Sequence, residues 1–472
     1  MPDIKDIIDE KNIVDILKKT GKPTAKKVSA ILRKAEKKKG LNLEEIGWLV
    51  NVSDPKLIEQ MFEIAGKIKN EIYGERIVFF APLYISSYCV NDCDYCGFHT
   101  SNSLPRNKLT LKEVAKQVKI LEDMGHKRLL LEFGEHHLTN PIDYVIDVIK
   151  TIYGTKSKNG SIRRVNVNIA ATTVDDYRKL KAVGIGTYQL FQETYHYDTY
   201  QKLHRGPKAD YERQLFAHDR AFEAGIDDIG LGVLFGLYDY RFEVLGLISH
   251  AQYLEKKYGV GPHTLSVPRF QPAPTVNMQV KYSISEDELL KVIAILRLSV
   301  PYTGMIISTR ERPEMRKKAF KIGISQASAA SVVEVGGYES SSKSKVQSSK
   351  LKRDLDKVRQ FDTQDERSLD EIIESICEEG WLPSFCTACY RQGRTGKIFM
   401  HFAKPGEIQN LCRPNAILTF QEYLNDYASP KSKKLGKKII EKYMKQIPSQ
   451  NIKKETEKRL KKINKGERDL YF

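Results

Sequence analysis

Cysteine is scarce in this 472-residue sequence, seven residues in all, and no apolar run approaches the ~20 residues that would span a bilayer. The missing run excludes an ordinary membrane-spanning helix. The stretch MPDIKDIIDEKNIVDILKK is charged throughout, unlike a secretory signal, so a cytoplasmic location with no membrane partner is expected. Glycine (30) and proline (18) are too few for a collagenous or wholly disordered chain. Seven cysteines in a chain of this size make a poor disulfide framework and better metal or redox ligands. What is present, 41% hydrophobic and 29% charged residues, suits one large globular unit with smaller additions.

The formal charge of +17 is unevenly spread. Residues 431–472 hold 15 Lys or Arg against 5 Asp or Glu, a local +10, leaving +7 on the other 430 residues. Such a tail can bind nucleic acid or an acidic partner. The segments IIEKYMKQI and KETEKRLKKIN nevertheless have the period of solvated amphipathic helices, which accounts for the lysines without a partner.

From Arg76 onward, β-branched or aromatic runs alternate with segments of helical period, the signature of βα units around a parallel sheet. Eight runs qualify: RIVFFAPLYI (76–85), RLLLEFG (128–134), RRVNVNIA (163–170), TYQLFQE (187–193), DIGLGVLFG (228–236), TLSVPRF (264–270), GMIIST (304–309) and ASVVEVGG (330–337). Two intervening helices open with capping boxes, Thr110 with Glu113 and Ser285 with Glu288. Eight such strands suit a closed TIM-type (β/α)8 barrel better than an open doubly wound sheet. The expected α/β organisation is a helical extension (1–75), the barrel (76–338), a Ser/Lys-rich linker (339–350) and a mainly helical C-terminal domain with the basic tail (351–472). A capped helix in that last unit begins near Ser368.

Directly after the first strand, CVNDCDYC gives Cys89, Cys93 and Cys96 the spacing C-x3-C-x2-C. Three thiolates cannot complete a four-thiolate site, but they can hold three corners of a four-iron cubane and leave one iron open to a ligand's amino and carboxylate groups. A zinc knuckle completed by His99 is the plainer option, although zinc motifs usually pair C-x2-C with a second distant pair. The loop follows a barrel strand, on the face where barrel enzymes keep their chemistry. In the C-terminal unit Cys386, Cys389 and, 22 residues on, Cys412 form another trio, again suited to a cubane with one iron lacking a protein thiolate, with zinc as rival. Cys377 sits on the apolar side of a helix and reads as a buried structural thiol.

CVNDCDYCGF resembles the cluster loop of radical S-adenosylmethionine (radical SAM) enzymes, with aromatic Tyr95 before the third cysteine. The resemblance implies a 4Fe-4S cluster on Cys89, Cys93 and Cys96 whose open iron chelates S-adenosylmethionine, with Tyr95 against the adenine. FGE (Phe133, Gly134, Glu135) looks like the family's GGE segment, which receives the methionine ammonium, with Phe133 replacing the first glycine. Asn168, Glu193 and Arg205 look like the groups that hold ribose and carboxylate; each alone could also be an ordinary satisfied barrel residue.

A barrel of this family followed by CTAC and a distant cysteine is similar to the tyrosine lyases that mature iron-iron hydrogenase, over nearly the whole chain. Supporting segments are FQETYH (191–196), LHRGP (203–207), HTLSVPRFQPA (263–273), ISTRE (307–311) and SQAS (325–328). The related thiazole-pathway lyases lack the C-terminal cluster, which makes Cys386, Cys389 and Cys412 the discriminating residues. This likeness implies cleavage of L-tyrosine to p-cresol and dehydroglycine. The fragment would then become carbon monoxide and cyanide on a second 4Fe-4S cluster carrying a labile iron with an L-cysteine ligand. His263, which precedes a strand and so belongs at the barrel bottom, would ligate that iron; a surface histidine is the plainer alternative. For the tyrosine carboxylate, Arg310 with Ser308 is the candidate, and Arg269 or Arg312 could serve instead. A ferredoxin or flavodoxin donor and other hydrogenase maturases are the implied partners.

Two other functions are compatible with parts of this pattern. One is a thiazole-pathway-like aromatic amino acid lyase with a structural C-terminal metal. The other is a basic nucleic-acid-binding iron-sulfur protein; eight strands with ligands at several of their ends argue for an enzyme instead.

Overall fold

The computed structural model describes residues 3–273, 275–339 and 359–472. Its organising element is β1 (Arg76–Ser86), whose sequence RIVFFAPLYIS is apolar almost throughout and buried at every position after Arg76. That is the pattern of a parallel strand covered on both faces. Parallel to it run β2 (Arg128–Phe133), β3 (Arg164–Asn168), β4 (Tyr188–Gln189), β5 (Ile229–Gly232), β6 (Thr264–Ser266), β7 (Gly304–Ile307) and β8 (Gln326–Ser328). Each pairs with its sequence neighbours, and β8 closes the ring on β1, Val78 opposite Gln326 and Phe80 opposite Ser328. The result is a closed eight-stranded TIM-type barrel with helices outside. Both expected capping boxes are formed, and Ser368 with Glu371 forms another.

The eighth strand is not where the β-branched run suggested. ASVVEVGG (330–337) is loop and turn, and the closing strand is Gln326–Ser328 within the SQAS segment. Only small or slender side chains are needed at that position, where the strand is buried on all sides. The apolar run serves elsewhere: Val333 packs with Tyr84, Phe98 and Phe361 over the upper mouth of the barrel.

A ninth strand, β9 (Leu382–Ser384), comes from the C-terminal region and pairs with β1 one step below β8, Arg76 opposite Leu382 and Val78 opposite Ser384. The C-terminal helices Leu369–Glu378, Gln409–Asp426, Pro430–Lys445 and Gln450–Asn464 are thereby anchored at the lower end of the barrel, while the N-terminal helices up to Pro55–Tyr73 pack outside it. The basic tail is helical, with Ile439, Ile440, Tyr443 and Ile463 buried and Lys431 and Lys442 paired with Glu374 and Glu75. Apart from Glu339, the expected linker 339–350 lies outside the described residues. No helix among the described residues is long and apolar enough to cross a membrane.

Candidate active site

The first cysteine group leaves the upper end of β1. Cys93 is buried, Cys89 and Cys96 are half-buried, and none is in a disulfide. Burial raises Cys96 to about 11, and the adjacent Cys89 sulfur adds to the rise; burial also raises Cys93, with Cys96 and Cys89 adding. The three sulfurs therefore converge. N–H donors are aimed at them: Phe98 N lies 3.4 Å and Gln360 Nε2 3.8 Å from Cys96 Sγ, and Asn91 Nδ2 3.7 Å from Cys89 Sγ. Donors of this kind stabilise cluster-bound thiolates and tune a cluster's potential.

Two adjoining cavities open beneath and beside this loop and share Tyr95, Cys96, Glu132, Asn168, Phe191, Glu193 and Gln360. Tyr95 is buried, and its hydroxyl lies 2.8 Å from His204 Nε2. His204 Nδ1 faces the Tyr200 carbonyl at 2.7 Å, and burial lowers the imidazole to about 3. The ring is thus neutral with its proton on Nδ1, and Tyr95 donates to Nε2.

Gly134 packs against the backbone that leads into Cys89: a Cβ there would stand 2.3 Å from Tyr88 O and 3.2 Å from Cys89 Cβ. Glu135 accepts from Asn91 Nδ2 (2.7 Å) and Arg213 Nη2 (2.6 Å). Asn168 Nδ2 donates to Glu132 Oε2 at 2.9 Å. Burial raises Glu132 to about 8, against Arg310 and Asn168, so its carboxyl is largely protonated at neutral pH. Glu193 holds Lys208 Nζ at 2.8 Å; burial lowers Lys208, but Glu193 and the Cys93 thiol outweigh it and push it up. Glu193 has φ +67°, an uncommon conformation for a non-glycine residue. The two residues after it are held from behind by buried Glu243, which accepts from Thr194 Oγ1 and from Tyr195 N.

Arg205 is not brought into either cavity. Its half-exposed side chain bonds Asp94 Oδ1 and the Asp92 carbonyl on the outside of the cysteine loop. Lys208, three residues on, is the cation that faces the site. On the opposite wall Ser308 and Arg310 line the larger cavity, with the Arg310 guanidinium 3.2 Å from the Phe361 ring centre. Arg269 is paired with Glu311 and Arg312 with Glu286, which leaves Arg310 as the cavity's arginine. Glu132, Lys208, Asn91, Gln360 and Glu243 escaped the sequence reading. Lys208 adjoins the LHRGP segment and was within reach of it; Gln360, far along the chain, carried no signal.

The second trio lies at the other end of the same strand. Cys386 and Cys389 follow β9, and Cys412 is in the helix Gln409–Asp426. Burial raises Cys389 to about 12, with Cys412 and Cys386 adding, and burial and Cys412 raise Cys386. Arg76, the first residue of β1, faces all three: burial lowers it, but the thiols more than compensate. Cys377 is buried apart from them among Asp370, Glu374 and Glu378. Below the ring, His263 Nδ1 lies 3.0 Å from Asp228 Oδ2, and its ring stacks on Phe399 (4.2 Å) and Tyr390 (5.7 Å), the residue after Cys389. Burial would raise Asp228; His263 instead keeps it below its ordinary value.

Residues 83–245 match the Radical SAM superfamily and residues 266–382 the Biotin and Thiamin Synthesis associated domain. The crystal structure of HydG, a maturase of the FeFe-hydrogenase, superposes with a TM-score of 0.93 at 54% identity, covering 99% of this chain and 100% of that one. HydG from Carboxydothermus hydrogenoformans gives 0.83 at 39% identity, covering 98% and 100%. The 2-iminoacetate synthase of Escherichia coli (strain K12) is 29% identical over 359 residues, 76% of this chain and 90% of that protein. Radical SAM membership brings with it one 4Fe-4S cluster and S-adenosylmethionine as cofactors. With the geometry at both ends of its barrel and identity of this extent over a whole solved relative, the chain belongs to the HydG family of radical SAM enzymes.

Proposed function

We propose that this enzyme cleaves L-tyrosine to p-cresol and dehydroglycine. The fragment is then converted, at a second cluster, into iron-bound carbon monoxide and cyanide for hydrogenase assembly. The observation that carries the reading is the pair of cysteine trios at opposite ends of one barrel strand, with two cavities below the upper one. Dehydroglycine is 2-iminoacetate, the compound for which the 29%-identical synthase is named.

When bound, the first cluster and S-adenosylmethionine supply one electron and a 5'-deoxyadenosyl radical that takes a hydrogen atom from substrate. The chain's own residues do the rest. Cys89, Cys93 and Cys96 hold the cluster, and Gly134 lets the backbone approach it. Tyr95, fixed by His204, offers its ring to the adenine. Glu135 receives the methionine ammonium, and Asn168, Glu193 and Lys208 meet the ribose and carboxylate, with Arg205 bracing the loop from outside. Arg310 and Ser308 bind the tyrosine carboxylate. Glu132, protonated at neutral pH, adds no competing negative charge beside Arg310. Val333, Gln360 and Phe361 roof the cavity, keeping water from a radical.

For the lower site, the donors suit a cluster better than one zinc ion. Three thiols, Cys386, Cys389 and Cys412, act on one another there, and three thiolates leave one iron of a cubane open whereas a structural zinc site wants four ligands. His263, oriented by Asp228, is the proposed ligand of the labile iron, which would also carry L-cysteine. The domain division follows: extension 1–75, barrel 76–338, cluster unit 351–472. A ferredoxin or flavodoxin donor and other maturases are the proposed partners, in the cytoplasm.

Anaerobic turnover of reconstituted enzyme with dithionite, S-adenosylmethionine and L-tyrosine tests this. p-Cresol together with metal-bound carbonyl bands in the infrared is expected. p-Cresol without carbonyl means a simpler lyase with an inert C-terminal metal; neither product means a different substrate.

A further inference from the structure

The floor of the barrel carries two adjacent arginines, and among the described residues no carboxylate stands in ion-pair contact with either. Arg128 and Arg164 begin β2 and β3 and are direct register partners in the parallel sheet. Both reach the same ring: the Arg164 guanidinium lies 4.1 Å and that of Arg128 5.4 Å from the centre of Tyr390, next to Cys389. Arg128 is 4% exposed and donates from Nη2 to the Tyr390 hydroxyl at 3.0 Å; Thr187 Oγ1 lies 2.9 Å from the same hydroxyl. Arg164 spends Nη1 and Nη2 on the Gly184 and Ile185 carbonyls. The Nε atoms of both are buried without a partner. Among the described residues neither arginine has a carboxylate within ion-pair distance; Asp228 acts on Arg164 from beyond that distance and lies 3.0 Å from His263 Nδ1. Arg76 is different, because the thiols of the second trio account for it.

Buried charges are ordinarily paired, and two like charges on adjacent strands repel. An anion from outside the protein resolves both problems. A guanidinium recognises a planar carboxylate through paired N–H donors. We infer that Arg128 and Arg164, with Tyr390 between them, form a carboxylate subsite in the barrel floor that holds the two-carbon imino acid beside the second trio. The inference rests on the function proposed above. It gives that fragment a resting place from which its nitrogen-bearing carbon faces the second cluster. A fragment that is not held is lost to water: the imine carbon adds water and expels ammonia, leaving glyoxylate.

Glyoxylate is therefore the probe. Isothermal titration of the full-length, reconstituted protein with glyoxylate should give saturable binding that weakens tenfold or more in Arg128→Gln. If that variant does not fold, Arg128→Lys keeps the cation but not the fork, and a three- to tenfold loss is expected. In turnover, cyanide formed per p-cresol should fall in either variant while glyoxylate per p-cresol rises. No binding of glyoxylate to the wild type, or equal binding to wild type and variants, overturns the subsite. Titration with L-cysteine separates the other carboxylate source: weakened L-cysteine binding with unchanged glyoxylate binding assigns the arginines to the iron's amino acid ligand and overturns the fragment's claim. A wild type that makes no p-cresol refutes the proposed reaction, and the glyoxylate titration is read independently of it.

Discussion

Gly134 offers a test of the upper site whose size can be worked from geometry. In Gly134→Ala the new methyl would stand 2.3 Å from Tyr88 O, 2.9 Å from Tyr88 C and 3.2 Å from Cys89 Cβ, where ordinary contact begins at 3.4 Å. About 1 Å of movement is required, and the obstacle is backbone that cannot swing aside as a long side chain would. Tyr88 O also accepts from Asn140 Nδ2 at 3.3 Å, and Gly134 N donates to Ser86 O at 2.9 Å, so both sides are tethered. Overpacking of this kind costs ~1–3 kcal/mol. Because the displaced peptide leads directly into Cys89, the first cluster should suffer more than the fold. Iron and sulfide analysis should reveal loss of up to one cubane per chain, and 5'-deoxyadenosine formation should drop at least tenfold. Urea unfolding should register only the ~1–3 kcal/mol. Gly154→Ala is the control: nothing lies within 4 Å of its Cβ, and replacing a helical glycine should change stability by no more than about +1 kcal/mol. Full iron content and a wild-type rate of 5'-deoxyadenosine formation in Gly134→Ala would refute the close-approach argument.

Cys96→Ala should abolish S-adenosylmethionine cleavage and p-cresol together; persistent p-cresol by chromatography would remove the upper trio from its role. Cys386→Ala should instead retain most p-cresol while lowering cyanide and eliminating iron-bound carbonyl in the infrared, and survival of both products unchanged would remove the lower trio. The third concerns pH. Burial raises Glu243 from 4.5 to about 8, so the native state holds a proton that the unfolded chain releases. Its contribution to stability is full below about pH 4.5 and is lost as pH rises toward 8, by at most ~1.4 kcal/mol per pH unit. Urea midpoints of Glu243→Gln between pH 5 and 8 should therefore fall less steeply than those of the wild type, and an identical slope would contradict a protonated Glu243.

The barrel was legible because its strands are apolar runs of the right length set between capped helices. The one misassigned strand exposes the limit of that logic. β8 is made of Gln326, Ala327 and Ser328, which have no β signature and are strands only because β1 and β7 stand on either side. The β-branched run that follows is apolar because it roofs a cavity. At the site, cysteine spacing and the segments around Gly134 and Glu193 were readable locally. Arg205 was the local choice, but its side chain turns outward to Asp94 and Lys208 takes the inward place, a choice set by loop geometry. Arg128 and Arg164 looked like ordinary charged residues opening strands. The contact that sets them apart, the Tyr390 ring, exists only once the C-terminal unit covers the barrel floor.

β1 ties the two halves of the chemistry together. Arg76 at its lower end faces the second trio, and Ser86 at its upper end leads into the first. From Val78, where the C-terminal strand β9 ends its pairing, to Ser86 the strand rises roughly 26 Å at ~3.3 Å per residue. The two trios cannot share a substrate in one position, so the proposed function requires the product of the upper site to travel to the lower one. Phe80, Leu130 and Ile306 form an apolar layer between the two levels, with polar groups from Gln189 and Ser266 beside it. Under the same proposal, a small imino acid passing that layer would leave the field of Arg310 and next meet cations at Arg128 and Arg164. Under the proposed function, positive charge at both ends with an apolar waist gives the anion a holding point at each level, set by where the strands begin and end.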